Sequence, residues 1–219
     1  MTGKSIPHQR SRCYALIAIG LFVITEAAFC IQSYLLRDQP IGYINFANAA
    51  LTVFMRWMPP FVITYQIERK QLSTLGMVIP DGKFWLYGLS ACVALILPGL
   101  FISTPNNLVL EFVEQVVYIG LLEEFFYRGY LMNRFCAWLG NMKGLFLSSM
   151  IFGLAHVISR IANHGLDYFD RALVDGFHAI LGGLIFGLIV LRAKNIWPSS
   201  IAHISTNMYL ESLLRLASG

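Results

Sequence analysis

Charge is what this chain has least of. Only 13% of its 219 residues are Asp, Glu, Lys or Arg, against roughly 25% in ordinary soluble domains. So few ionisable groups cannot coat a water-facing surface, and a soluble fold is excluded. The chain also lacks internal repeats, low-complexity tracts and any polar stretch long enough for a soluble domain. Its four cysteines, Cys13, Cys30, Cys92 and Cys136, show no paired spacing and fall in or beside apolar runs. That excludes a disulfide framework or a metal knuckle and leaves them as small hydrophobes. No His-x-x-x-His or His-Glu-x-x-His occurs, so the zinc signature carried on one helix is missing. No suitably placed Ser-His-Asp set or Cys–His pair is present either. The formal net charge of +4 is no nucleic-acid signal, because the basic residues sit in short loops between apolar runs.

Apolar residues are in excess: 57% of the chain is hydrophobic and mean hydropathy is +0.62. Runs of about 20 apolar residues recur, and helices are the spanning structure that fits them. The reading is an all-α, polytopic integral membrane helix bundle of about seven transmembrane helices. The spans are expected near 13–36, 41–67, 84–103, 108–127, 145–161, 173–191 and 196–216. Met58-Pro-Pro60 is expected to break the second, and Thr104-Pro105 to end the third. The basic N-terminus followed by an apolar run superficially resembles a signal peptide. The run is too long and no small-residue cleavage site closes it, so it reads as the first span. Most lysines and arginines, among them Lys4, Arg10, Arg12, Arg69, Lys70, Arg134, Lys143 and Lys194, fall on one side of this arrangement. The positive-inside rule then puts the N-terminus in the cytoplasm and the C-terminus outside. Trp57, Trp85, Trp138 and Trp197 suit interfacial belts.

Against this background one stretch stands out, Leu121-Leu-Glu-Glu-Phe-Phe-Tyr-Arg-Gly129. It sets Glu123, Glu124 and Arg128 in an apolar segment, where each charge costs roughly 2.5–3.5 kcal/mol on insertion scales. At helical spacing the two glutamates point to different sides, while Glu124 and Arg128 share a face as an i,i+4 pair. Further on, His156 lies in the fifth span, and His203 and Asn207, four apart, share a face of the seventh. Taken singly, a membrane histidine or asparagine is an interhelical hydrogen-bonding group and a Glu–Arg pair is structural. Four functional-group types from three spans look instead like a site.

Two chemistries fit the set. A buried carboxylate beside a neutral histidine can hold and deprotonate a water, while a second histidine and a carboxamide stabilise the oxyanion of a tetrahedral intermediate. Alternatively, Glu123, His156 and His203 form a two-His, one-carboxylate zinc site with an open water position. Spacing alone leaves both open.

Glu123-Glu124-x-x-x-Arg128, Phe152-x-x-x-His156 and His203-x-x-x-Asn207, in that order, resemble the three motifs of the CPBP family. That family comprises the CAAX prenyl endopeptidases of the Ras-converting type and the bacteriocin-processing and immunity (Abi) proteins. The resemblance spans about 108–210 and divides the chain into 1–107, a variable part of three spans, and 108–219, a catalytic core of four. It implies an intramembrane glutamic-type endopeptidase of a multi-pass protein, in a prokaryotic plasma membrane. Glu123 and His156 would activate water, and His203 and Asn207 would form the oxyanion site. Glu124 and Arg128 would support them, with no metal. Substrates would be protein or peptide tails entering from the cytoplasmic side or from lipid. A non-proteolytic immunity or scaffold role and a small transporter or proton-coupled channel are the rival functions.

Depth poses one further requirement. If the fourth helix ended at Arg128, Glu123 would lie about 8 Å from its end, whereas His156 would lie about 16 Å deep counted from Leu145. The helix is therefore expected to continue through 129–139. The remaining intramembrane charges, Glu26, Arg56, Glu111 and Glu114, read as interior pairs or as the lining of a substrate path.

Overall fold

The computed structural model of the chain describes residues 8–36, 47, 50–69, 72–78, 116 and 119–218, with the main chain alone at 8 and 210–218. Among the described residues every regular element is helical and none is a strand. Helix α1 is His8–Leu36. Helix α2 covers 50–67, wound as a π-helix at Val53–Trp57, an α-helix at Met58–Val62 and a π-helix again at Ile63–Ile67. A 3₁₀ turn at Leu72–Leu75 follows. Helix α3 covers 120–139, with a π-helical middle at Glu124–Met132 between α-helical ends. Helix α4 is Asn141–His164. After a turn at Leu166–Tyr168 come α5, Phe169–Ala193, and α6, Trp197–Ser218. Three stretches, Gln9–Leu36, Asn141–His164 and Leu166–Ala193, are long and apolar enough to cross a membrane. The expected third span, most of the first half of the fourth, and Trp85, Cys92, Glu111 and Glu114 lie outside the described residues.

Two expectations about continuity are decided here. The second span is not broken at Met58-Pro-Pro60. The prolines occupy the first turn of the α-helical part, directly after a π-turn, and helical winding continues on both sides of them. The fourth helix does continue to Leu139. Gly140, at φ +84°, then reverses the chain into α4, a backbone conformation that favours glycine. Glu124 precedes Gly140 by as many residues as His156 follows it, so the hairpin brings the two to like depth.

Helix α3 is the central rod. Every residue from Glu124 to Met132 is buried, as expected of a helix enclosed on all sides. Around it pack Ala15, Ala18 and Phe22 of α1, Leu145 and Phe152 of α4, and Val190 of α5. Trp57 of α2 stacks on Phe125 of α3 at 5.2 Å, beside Phe61 at 5.8 Å.

Helices α4 and α5 approach closely because their contact line is built from small residues. A Cβ on Gly183 would meet Ser149 Cβ at 3.0 Å, and one on Gly153 would meet the Gly176 carbonyl oxygen at 2.6 Å. At Gly182, by contrast, a Cβ meets the Phe186 ring at 3.6 Å, an ordinary contact. Gly153→Ala is therefore expected to lower the thermal midpoint of the purified protein, with a cost of about 1–3 kcal/mol from overpacking. Gly182→Ala should hold or raise it, since alanine is the better helix former. Equal behaviour of the two would show that the α4–α5 contact is looser than described.

Candidate active site

The acidic stretch of the sequence lies where α3 changes from α- to π-helix, between Glu123 and Glu124. π-Segments are rare and are frequent at functional sites. Across from them stands His203 of α6. Its Nδ1 is 3.1 Å from Glu124 Oε1, and its Nε2 is 3.8 Å from Glu123 Oε2. One imidazole thus spans two adjacent carboxylates that leave α3 in different directions. Arg128 closes the back of the set, with Nη1 3.1 Å from Glu124 Oε1 one helical turn along. Its guanidinium lies 4.2 Å from the centre of the Phe152 ring. The His203 ring stacks on Phe186 of α5 at 4.8 Å and 22°.

Helix α4 brings the second imidazole. His156 packs edge-on to Phe152 at 4.5 Å, and Phe152 in turn lies 6.3 Å from the His203 ring. The two histidines therefore flank one aromatic wall. Its Nδ1 is 3.0 Å from the Phe152 carbonyl oxygen. A carbonyl only accepts, so Nδ1 carries the hydrogen and Nε2 keeps the lone pair. That tautomer can take a proton from water.

Burial separates the residues into two groups. Glu124, Arg128 and His203 are buried, whereas Glu123, His156 and Asn207 are half-buried and remain reachable. Asn207 follows His203 by one turn on the same helix, and so shares its face. Glu124 Oε2 and both terminal nitrogens of Arg128 make no hydrogen bond among the described residues. The site therefore has polar capacity left for water or a substrate.

A zinc ion on Glu123, His156 and His203 would need three donors aimed at one point. Among the described residues no three His, Cys, Asp or Glu side chains form such a group. The His203 nitrogens face the two glutamates.

All six sequence-designated residues fall within one stretch that matches a family model, that of the type II CAAX prenyl endopeptidase Rce1-like family, over residues 105–209. Those residues belong to this family. Comparison with curated proteins and with solved structures gave no match. The Rce1-like family is one of proteases, and with the apolar helices it makes the chain an integral membrane protein.

Two site neighbours lie outside the Rce1-like stretch. Arg56 of α2 reaches Glu123 Oε1 with Nη1 at 3.7 Å. It also donates from Nη2 to Glu26 Oε1 of α1 at 3.3 Å. Sequence reasoning noted both charges as intramembrane but had no means of pairing them with Glu123. Phe186 was missed as well, and Phe152 was noted only as the first residue of the second motif, since phenylalanine in a membrane helix carries no signal of its own.

Proposed function

We propose that the protein is an intramembrane endopeptidase of the CAAX type, hydrolysing a peptide bond in a membrane-associated protein or peptide tail by a metal-free, glutamate-based mechanism. The observation that carries this reading is the single imidazole of His203 lying between the carboxylates of Glu123 and Glu124. Glu124, itself neutralised by Arg128, accepts the Nδ1 hydrogen of His203 and fixes the ring. Nε2 is then left for the reacting centre, and in the imidazolium form it donates there.

In this mechanism Glu123 and the lone pair of His156 hold a water and take its proton as its oxygen attacks the scissile carbonyl carbon. The carbonyl oxygen becomes an oxyanion that receives hydrogen bonds from His203 Nε2 and the Asn207 amide. The proton passes to the amide nitrogen, the C–N bond breaks, and an acid and an amine leave. We further propose about seven spans, with 1–107 as an N-terminal helical part and 108–219 as the catalytic core. The N-terminus is assigned to the cytoplasm of a prokaryotic cell and substrate entry to that side or to the lipid.

The test is cleavage of tail peptides by purified protein in lipid vesicles. Wild type is expected to cut, with or without a chelator. Asn207→Ala should lower the rate by about 10²–10³-fold, the loss of one oxyanion donor. Chelator inactivation reversed by zinc would overturn the metal-free mechanism, and full activity of Asn207→Ala would remove that residue from the site.

A further inference from the structure

Behind Glu123, on the side away from His203, lies a second buried charge cluster that the mechanism does not use. Arg56 of α2 divides its guanidinium between two acids, with Nη2 3.3 Å from Glu26 Oε1 and Nη1 3.7 Å from Glu123 Oε1. The same Glu26 oxygen accepts the Tyr127 hydroxyl of α3 at 3.2 Å. The guanidinium sits 4.8 Å from the Phe29 ring centre and 5.8 Å from that of Tyr127. Arg56 Nε is buried and makes no hydrogen bond among the described residues. A cation held by two rings and one acid has little freedom except toward its second acid.

The local winding is matched to this placement. Arg56 belongs to the π-turn Val53–Trp57, and Glu123 adjoins the π-segment of α3. The cation thus sits in one irregular turn, and the carboxylate sits directly before another. A helix pair built only for packing has no need of either departure from α-geometry, nor of three ionisable groups in one apolar layer.

We infer that Arg56, tethered by Glu26 and Tyr127, is a positioning residue for Glu123, so that the N-terminal helices complete an active site whose other groups all lie in 105–209. Glu123 Oε1 is drawn toward Arg56, which turns Oε2 toward His203 and the reacting centre. Glu26 prevents Arg56 from closing fully on Glu123, and the carboxylate stays available to a water. This inference rests on the peptidase reading above and adds that α1 and α2 act in turnover, beyond anchoring the core.

The experiment compares Arg56→Gln, Arg56→Lys and Glu123→Gln in the full-length protein in vesicles, measuring kcat, KM and thermal midpoint. Arg56→Gln is expected to lower kcat by about tenfold to a hundredfold, the scale of a misplaced reacting group, with KM nearly unchanged. Arg56→Lys, which restores the cation, should recover most of that loss. A thermal double-mutant cycle of Arg56→Gln with Glu123→Gln should be non-additive, which reports the contact without reference to activity. Full kcat in Arg56→Gln, or a loss that lysine leaves unrescued together with an additive cycle, overturns the inference. A wild type that cuts nothing, or a Glu123→Gln variant that still cuts, sinks the peptidase reading instead, and the cycle still decides whether Arg56 engages Glu123.

Discussion

Glu123→Gln is expected to lower turnover by about 10³–10⁴-fold, at the upper end of what a general base contributes, and to leave the protein folded. Glutamine keeps the volume of the side chain and one acceptor oxygen, so the packing of α3 is preserved. It cannot accept a proton from water, and that is the step assigned to Glu123. The cost to folding is small because the group is half-buried and its contacts at 3.7 and 3.8 Å are charge contacts longer than a hydrogen bond. Arg56 retains Glu26, and His203 retains Glu124, so no buried charge is left alone. His156→Ala should fall in the same range, since it removes the lone pair that the Phe152 carbonyl orients. Peptide cleavage and thermal midpoint measured on one preparation separate the two effects. More than a tenth of wild-type turnover in Glu123→Gln would remove it as the base, and the mechanism with it.

How far the sequence could be read depended on whether a signal was local. Helix existence was legible because about 20 apolar residues in a row admit little else, and α1, α4, α5 and α6 lie close to where the apolar runs put them. The Glu124–Arg128 pair was legible because i,i+4 neighbours touch whatever surrounds them. The continuation of α3 past Arg128 followed from a depth argument between two residues on consecutive helices. What could not be read was contact between distant helices. Arg134 counts in the sequence as a loop cation on the basic side, yet it is buried, pairing with Glu68 sixty-six positions earlier. The role of Arg56 was hidden in the same way. π-Winding was hidden too, because no residue preference announces it, and the uniform rotation assumed for α3 fails from Glu124 onward. At Met58-Pro-Pro60 a local rule misled: proline usually stops a helix in its interior, yet helical winding continues on both sides of this pair.

Arg134 and Glu68 give the largest expected effect on stability. Arg134 Nε and Nη2 meet Glu68 Oε1 and Oε2 at 3.0 and 2.9 Å, a bidentate arrangement that lysine cannot reproduce. Nη2 also donates to Thr64 Oγ1 at 2.6 Å. Nη1 donates to the Gly129 and Tyr130 carbonyls at 3.4 and 3.3 Å, and the guanidinium lies 4.2 Å from the Tyr130 ring centre. The pair therefore ties the end of α2 to the point where the π-segment of α3 ends. Its side chains keep 2% and 0% of their surface, so truncation of one leaves the other charged in an apolar layer. Glu68→Ala is expected to cost about 3–5 kcal/mol, the scale of breaking a buried pair, and to lower the thermal midpoint more than any other substitution considered. Glu68→Leu combined with Arg134→Met should cost less than Glu68→Ala alone, because neither charge is then stranded. Unfolding of the three proteins in the same detergent decides it. A double variant less stable than the single one would mean that the Arg134 bonds to Thr64, Gly129 and Tyr130, and not the ion pair, hold α2 to α3.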